Sequence, residues 1–189
     1  MNRREYILKE ATKHFAMKGF EGFRVNDFVK DININKSTFY YYFNTKKDLF
    51  NEILKRILIK INNEFIFTKD DLSKTINHFI DVMFNRSEEE VLLFIREVIN
   101  GGEHLSSDVL TLMLNIRSYL DNVLKDTSIN SFVIMHIVIG SSDFFISSIK
   151  FREKLSTLSN NKFISKDEIV NEIKSIINLY IRSKIESND

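Results

Sequence analysis

Residues 27–50, DFVKDININKSTFYYYFNTKKDLF, carry two apolar seams of helical spacing separated by only a few polar residues. In the first, Phe28 and Val29 begin a face that Ile32 continues one turn later. In the second, Phe39 and Phe43 lie four apart, so a single helical turn stacks them on one side. Asn33 falls where the first helix must end, and asparagine is the non-glycine residue that best tolerates a left-handed backbone. Ile34 points back inward. Asn35 then serves as an N-cap, because its side-chain oxygen accepts an otherwise orphaned backbone N–H. Thr45 caps the next helix and puts Lys46 in its first turn. Two short helices joined by a tight turn, the second held by one apolar seam, make a helix-turn-helix. Lys36, Ser37, Thr38, Tyr41 and Tyr42 are left on its free side, with donors and acceptors suited to base edges and phosphates.

The remainder of the chain admits little besides helix. There is no proline and there are only five glycines in 189 residues, so few positions interrupt a helical run. Apolar periodicity predicts about nine helices and an all-α fold. The first spans about Arg3 to Lys18, with Gly19 as its C′ residue and Phe20 as the hydrophobic contact that follows. The second runs from Val25 to Ile32, and the third is the seven-residue tip anchored by the two phenylalanines. A long fourth helix extends from Thr45 to Phe65 with a broad stripe of Leu49, Ile53, Leu54, Ile57, Leu58 and Ile61. The polar segment 68–71 reads as a break. A fifth helix starts at Leu72, a sixth spans Glu88 to Ile99 and stops at Gly101-Gly102, and a seventh spans Leu105 to Leu124. The eighth, Asn130 to Leu155, is apolar nearly all round between Phe132 and Ile139. After a polar loop over 156–162, the ninth runs from Ser165 to Ile185.

Charge separates the ends of the chain. Positions 1–60 hold thirteen of the 27 Lys and Arg but seven of the 26 Asp and Glu, so a basic first third precedes an acidic remainder. Beside a helix-turn-helix, that is the footprint of a nucleic-acid module on a non-binding body. No cysteine is present, which excludes disulfides and thiolate metal sites. The four histidines have no partner three or four residues away, so no helical metal pair exists. His136 and Asp143, with Ser142 beside them, stand two turns apart on one helix, too far for a direct dyad. With no phosphate loop or nucleophile elbow either, an enzyme is not expected, and no cofactor or metal. The N-terminus lacks a signal-peptide apolar core, and no run approaches the roughly 18 apolar residues of a membrane span, so a cytoplasmic protein without membrane contact is expected.

The run over 28–49 resembles the DNA-binding signature of the TetR-type transcriptional repressors, the tetracycline repressor family. Phe28-Val29, Ile32-Asn33-Ile34-Asn35, Ser37-Thr38-Phe39-Tyr40, Tyr42-Phe43, Lys46 and Leu49 stand where that signature has its I-A, A-G-V-S, G-T-x-Y, H/Y-F, K and L. Asn33 and Ser37 replace glycines and Val29 replaces an alanine. The resemblance implies a helix-turn-helix DNA-binding domain over 1–46 and a helical effector-binding and dimerisation domain over 47–189. It implies a ligand-responsive regulator, most often a repressor, acting as a homodimer on palindromic double-stranded DNA.

On that reading Lys36, Ser37 and Thr38 face the groove. Tyr40 both packs and touches DNA beside Tyr41, while Tyr42 and Lys46 hold phosphates. Arg24 reaches a phosphate; Asn26 reaches a base edge or is a solvated helix-start residue. Phe65, Phe79, Phe84, Phe94, Tyr119 and Phe144 line an apolar effector pocket or are ordinary core, and so few charges fall in these seams that the small-molecule effector is expected to be apolar or weakly polar. The wide stripes of the last two helices, represented by Phe132, Ile139, Ile173 and Ile177, are read as half of a four-helix dimer interface, against the plainer reading of a monomer core. The alternative function is a helical small-molecule-binding or adaptor protein of the same fold that works through a protein partner.

Overall fold

The computed structural model describes residues 2–65, 71–159 and 163–186. Among them are ten helices and no strand. They are α1 (Arg3–Gly22), α2 (Val25–Asp31), α3 (Lys36–Tyr42), α4 (Lys46–Glu64), α5 (Leu72–Phe84), α6 (Glu88–Ile99), α7 (Ser107–Leu124), α8 (Ser131–Ser147), α9 (Ile149–Ser159) and α10 (Lys166–Glu186). The break expected over 68–71 lies outside the described residues except for Asp71, which caps α5 by accepting from the Lys74 N–H. Positions 160–162 of the expected loop are likewise outside them, and 156–159 continue α9.

Sequence chemistry sets most of the helix ends. Gly19 takes φ 69°, so α1 is interrupted there before a last turn that ends at Gly22. Ser87 and Glu90 form a reciprocal capping box at the start of α6. Thr45 and Asp48 exchange the same two bonds at the start of α4, each 3.0 Å. Gly101 and Gly102 both have φ 73° and close α6.

The chain forms two compact units. One holds residues 1–60 with 87–113; the other holds 61–86 with 114–189. Compactness therefore groups α6 with the first four helices, a grouping the division at residue 46 does not express. In the first unit α1 packs along α6, and a cluster of Phe15, Phe23, Phe28, Phe39 and Phe50 is fully buried. Phe15 and Phe23 stack with ring centres 3.9 Å apart. In the second unit α5 packs against α8 and α10 around Ile76, Phe79, Ile80 and Phe84.

Three expectations need correction. The single eighth helix is two, α8 and α9, because the helix stops at Ser148. There the Phe144 carbonyl accepts both the N–H and the hydroxyl of Ser148, and the Arg152 guanidinium donates to the Phe145 carbonyl, an acceptor at the helix end. In α6, where periodicity predicts that Val91, Leu92, Phe94, Ile95, Val98 and Ile99 turn inward, Val91, Leu93, Phe94 and Glu97 are buried and Val98 and Ile99 are exposed. In α10, Ile173 and Ile177 point into their own unit's core, so they are not available to a dimer face; Ile176 and Leu179 are the apolar residues on the outside. No single helix among the described residues is long and apolar enough to cross a membrane; α8 and α9 meet that test only together, across a 62° bend.

Candidate nucleic-acid interface

The turn between α2 and α3 is built as its residue types dictate. Asn33 adopts φ 54°, the left-handed conformation that asparagine tolerates. The Ile34 N–H then reaches back to the Val29 carbonyl at 2.9 Å, and Ile34 folds inward. Asn35 caps α3 with one oxygen, which accepts the Thr38 N–H at 2.8 Å and the Ser37 and Thr38 hydroxyls. Phe39 and Phe43 are buried, and Phe39 meets Phe28 edge-on at 6.4 Å, so one seam fastens α3 to α2.

Fastening that seam leaves the opposite face of α3 outside. Lys36, Ser37, Tyr40 and Tyr41 are exposed, Tyr41 at 81%. Lys36 Nζ stands 5.9 Å from the Tyr40 ring centre, one turn away on the same side. Thr38 and Tyr42 are half-buried at the edge of this face, with Tyr42 set edge-on to Tyr41 at 4.8 Å. Arg24 and Asn26 are exposed at the start of α2, and Arg24 makes no side-chain cap bond there. A short, rigid helix tip carrying an ammonium, hydroxyls and two phenols suits a duplex groove: the hydroxyls and the ammonium reach base edges, and the phenols pack on bases or donate to phosphates.

Lys46 differs from its expected role. Its ammonium donates to the Phe20 carbonyl at 2.9 Å and lies 4.0 Å from that ring's centre, so it braces the end of α1 instead of standing free for a phosphate.

These features match a known DNA-binding domain. The first unit's residues 7–53 match the model of the bacterial regulatory proteins of the tetR family. Residues 7–53 are thereby a TetR-type DNA-binding domain. Similar curated proteins include the biofilm operon icaADBC HTH-type negative transcriptional regulator IcaR of Staphylococcus aureus strain Newman. It is 20% identical over 188 residues, covering 95% of this chain and 99% of that protein. The IcaR of Staphylococcus epidermidis RP62A is 22% identical over 191 residues at the same coverage. A transcriptional regulator from Rhodococcus sp. Rha1 shares the fold at a TM-score of 0.73, 14% identity and coverage of 96% and 97% of the two chains. AibR, solved with isovaleryl coenzyme A and operator DNA, shares it at 0.69, 10% identity and 93% and 97% coverage.

The expected effector residues separate. In the second unit Phe65 stacks on Tyr119 at 4.6 Å and meets Phe79 at 5.6 Å. Burial pushes the Tyr119 phenol up to about 12, which marks an apolar surround. Phe84 is buried in the same unit beside Phe145 at 6.0 Å. Phe94 belongs to the first unit, and Phe144 is 72% exposed on the outside of α8, so Phe144 does not line an interior pocket. No group of three or more His, Asp or Glu among the described residues has metal-holding geometry.

A polar feature of the second unit was not legible in the sequence. Arg86 and Asp143 form a largely buried ion pair, and Arg86 also donates to the Ser142 hydroxyl at 2.8 Å and the Met83 carbonyl at 2.9 Å. Burial raises the Asp143 carboxyl against the opposing pull of Arg86. His136 instead bonds its own helix, at the Phe132 carbonyl, 2.9 Å.

Proposed function

We propose that this protein is a homodimeric repressor that binds a palindromic operator and is released by a small apolar or weakly polar effector. The observation that carries the reading is the outer face of α3, where Lys36, Ser37, Tyr40 and Tyr41 are exposed on a helix fixed by buried Phe39 and Phe43. Tyr42, Thr38, Arg24 and Asn26 flank that face and extend it to the phosphates. The names of the IcaR relatives, negative transcriptional regulators, support repression, and the AibR complex supports effector and operator sharing one chain of this fold.

Dimerisation is favoured by apolar surface that nothing among the described residues covers. Phe132, Val133, Ile137 and Phe144 are exposed on α8, and Ile176 and Leu179 on α10. A two-fold dimer carries two α3 tips, and a palindrome offers them successive major grooves about 34–36 Å apart. The effector site is assigned to the Phe65–Phe79–Tyr119 cluster, whose chemistry suits an apolar ligand. Such a protein acts in the cytoplasm, where its operator is.

Selection of bound fragments from random duplex DNA tests the reading. A palindrome whose retention falls steeply with salt is expected. Absence of any enriched sequence, with specific capture of a protein instead, would replace it by the adaptor alternative.

A further inference from the structure

His104 sits between two carboxylates in the first unit. Its Nδ1 is 3.1 and 3.2 Å from the two oxygens of Glu97, and its Nε2 is 2.9 Å from Glu21 Oε1. Glu97 is 1% exposed, and His104 also gives it a backbone N–H at 3.3 Å. Glu21 is near the end of α1, in the DNA-reading head, whereas Glu97 and His104 bracket the corner after α6. The double-glycine turn at 101–102 folds the chain so that His104 comes back over Glu97.

Neighbouring elements converge on the same ring. Phe20 stacks on it at 3.9 Å, and Lys46 of α4 holds Phe20 from its ring and its carbonyl. Asn51 of α4 donates to the His104 carbonyl at 2.9 Å and accepts the Ser106 N–H at 2.7 Å. The other charged groups nearby are committed elsewhere: Arg96 donates to the Met17 carbonyl and Lys47 reaches the Glu103 carbonyl at 3.5 Å. On the Glu21 side lies a cavity of about 250 Å³ lined by Glu21 and Phe20 and, among others, Lys18 and Arg96.

We infer that His104 is a protonation-dependent positioning residue, clamping the α6–α7 corner to the end of α1 and so fixing the head that reads DNA. As an imidazolium it donates from both nitrogens, one to each carboxylate. When neutral it has one N–H. The buried Glu97 keeps that donor, because an unpaired buried carboxylate is the costlier loss. Nε2 then turns a lone pair toward Glu21, and that one polar contact between α1 and the corner is lost, leaving the Phe20 stack in place. The clamp therefore closes as pH falls and the ring gains its second N–H. A head already fixed loses less freedom on binding, so operator affinity should be higher with the clamp closed.

The inference rests on the DNA-binding reading, and its test separates the two. Operator affinity is measured for the full-length wild type and Glu21→Ala from about pH 5.5 to 8.5 at constant ionic strength, on the selected duplex. Glu21 is exposed, so its removal leaves the core intact. Any change in surface charge shifts the variant by a constant factor, and other titrating histidines affect both proteins alike. The ratio of wild-type to variant affinity should rise about fivefold toward low pH, and the Glu21→Ala change should alter the pH response of the His104 ring resonances. A ratio constant with pH, or one that rises toward high pH, would overturn the clamp. Failure of both proteins to bind any duplex would instead remove the DNA-binding reading, and ring resonances insensitive to the Glu21→Ala change would then overturn the clamp separately.

Discussion

The ammonium of Lys46 lies 4.0 Å from the centre of the Phe20 ring and 2.9 Å from the Phe20 carbonyl oxygen. A side chain whose sequence position suggests a phosphate contact is thereby a brace between α4 and the end of α1. Lys46→Ala should lower stability by about 1–2 kcal/mol, the scale of one charged hydrogen bond plus a cation–π contact. The salt slope of DNA binding should stay nearly unchanged. Denaturant unfolding and a salt series on the selected operator give both numbers; a slope lowered by a full unit with no loss of stability would return Lys46 to the phosphates.

Asn33 holds the turn with φ 54°. Asn33→Gly should fold at least as well as the wild type, because glycine reaches that conformation without a steric cost. Asn33→Val should cost about 1–2 kcal/mol, the penalty of a left-handed backbone for a residue with a branched Cβ. Equal melting temperatures for the two variants would mean the turn is not strained as described.

The Arg86–Asp143 pair is largely withdrawn from water. Arg86→Ala leaves a buried carboxylate without its partner and should cost about 3–5 kcal/mol. Replacing both charges, as in Arg86→Met with Asp143→Leu, should recover most of that loss. Chemical denaturation of the three proteins decides it; a double variant no better than the single one would contradict the account.

Burial, with Lys18 the next contributor, holds the His14 imidazole below its ordinary value, opposed by Asp31 at 3.9 Å. The folded state therefore prefers neutral His14, which meets Phe28 edge-on at 5.0 Å. Its stabilising contribution is fully present above the unfolded value, about 6.5, and is lost as pH falls through the lowered folded value. His14→Gln should flatten the decline in melting temperature below about pH 6.5; an unchanged decline would assign the acid sensitivity to another group.

Apolar residues on the outside of α8 and α10 give a different kind of test. Ile176→Glu with Leu179→Glu should leave a folded monomer by light scattering, whereas Ile177→Glu, one position away but inside the core, should unfold the second unit. A double variant that remains dimeric would place the interface elsewhere.

What the sequence disclosed and what it hid follow from how local each interaction is. The helix-turn-helix was legible because each step uses neighbouring chemistry: Asn33 for the left-handed turn, Asn35 for the cap, and Phe39 with Phe43 for the seam. On α10, by contrast, isoleucines cover so much of the circumference that periodicity cannot say whether Ile173 and Ile177 or Ile176 and Leu179 face inward; packing against α5 decides. The stop at Ser148 has no proline or glycine to announce it and depends on side-chain donors from Ser148 and Arg152. The His104 pairings join residues that are 7 and 83 positions apart, beyond any local pattern.

Affinity for the selected operator after single truncations on the outer face of α3 tests the central claim most directly. Lys36→Ala and Tyr41→Ala touch only exposed positions, so both should keep the wild-type melting temperature. Each should weaken specific binding about tenfold, the scale of one lost base or phosphate contact. Full operator affinity in both folded variants would contradict the assignment of this face to DNA.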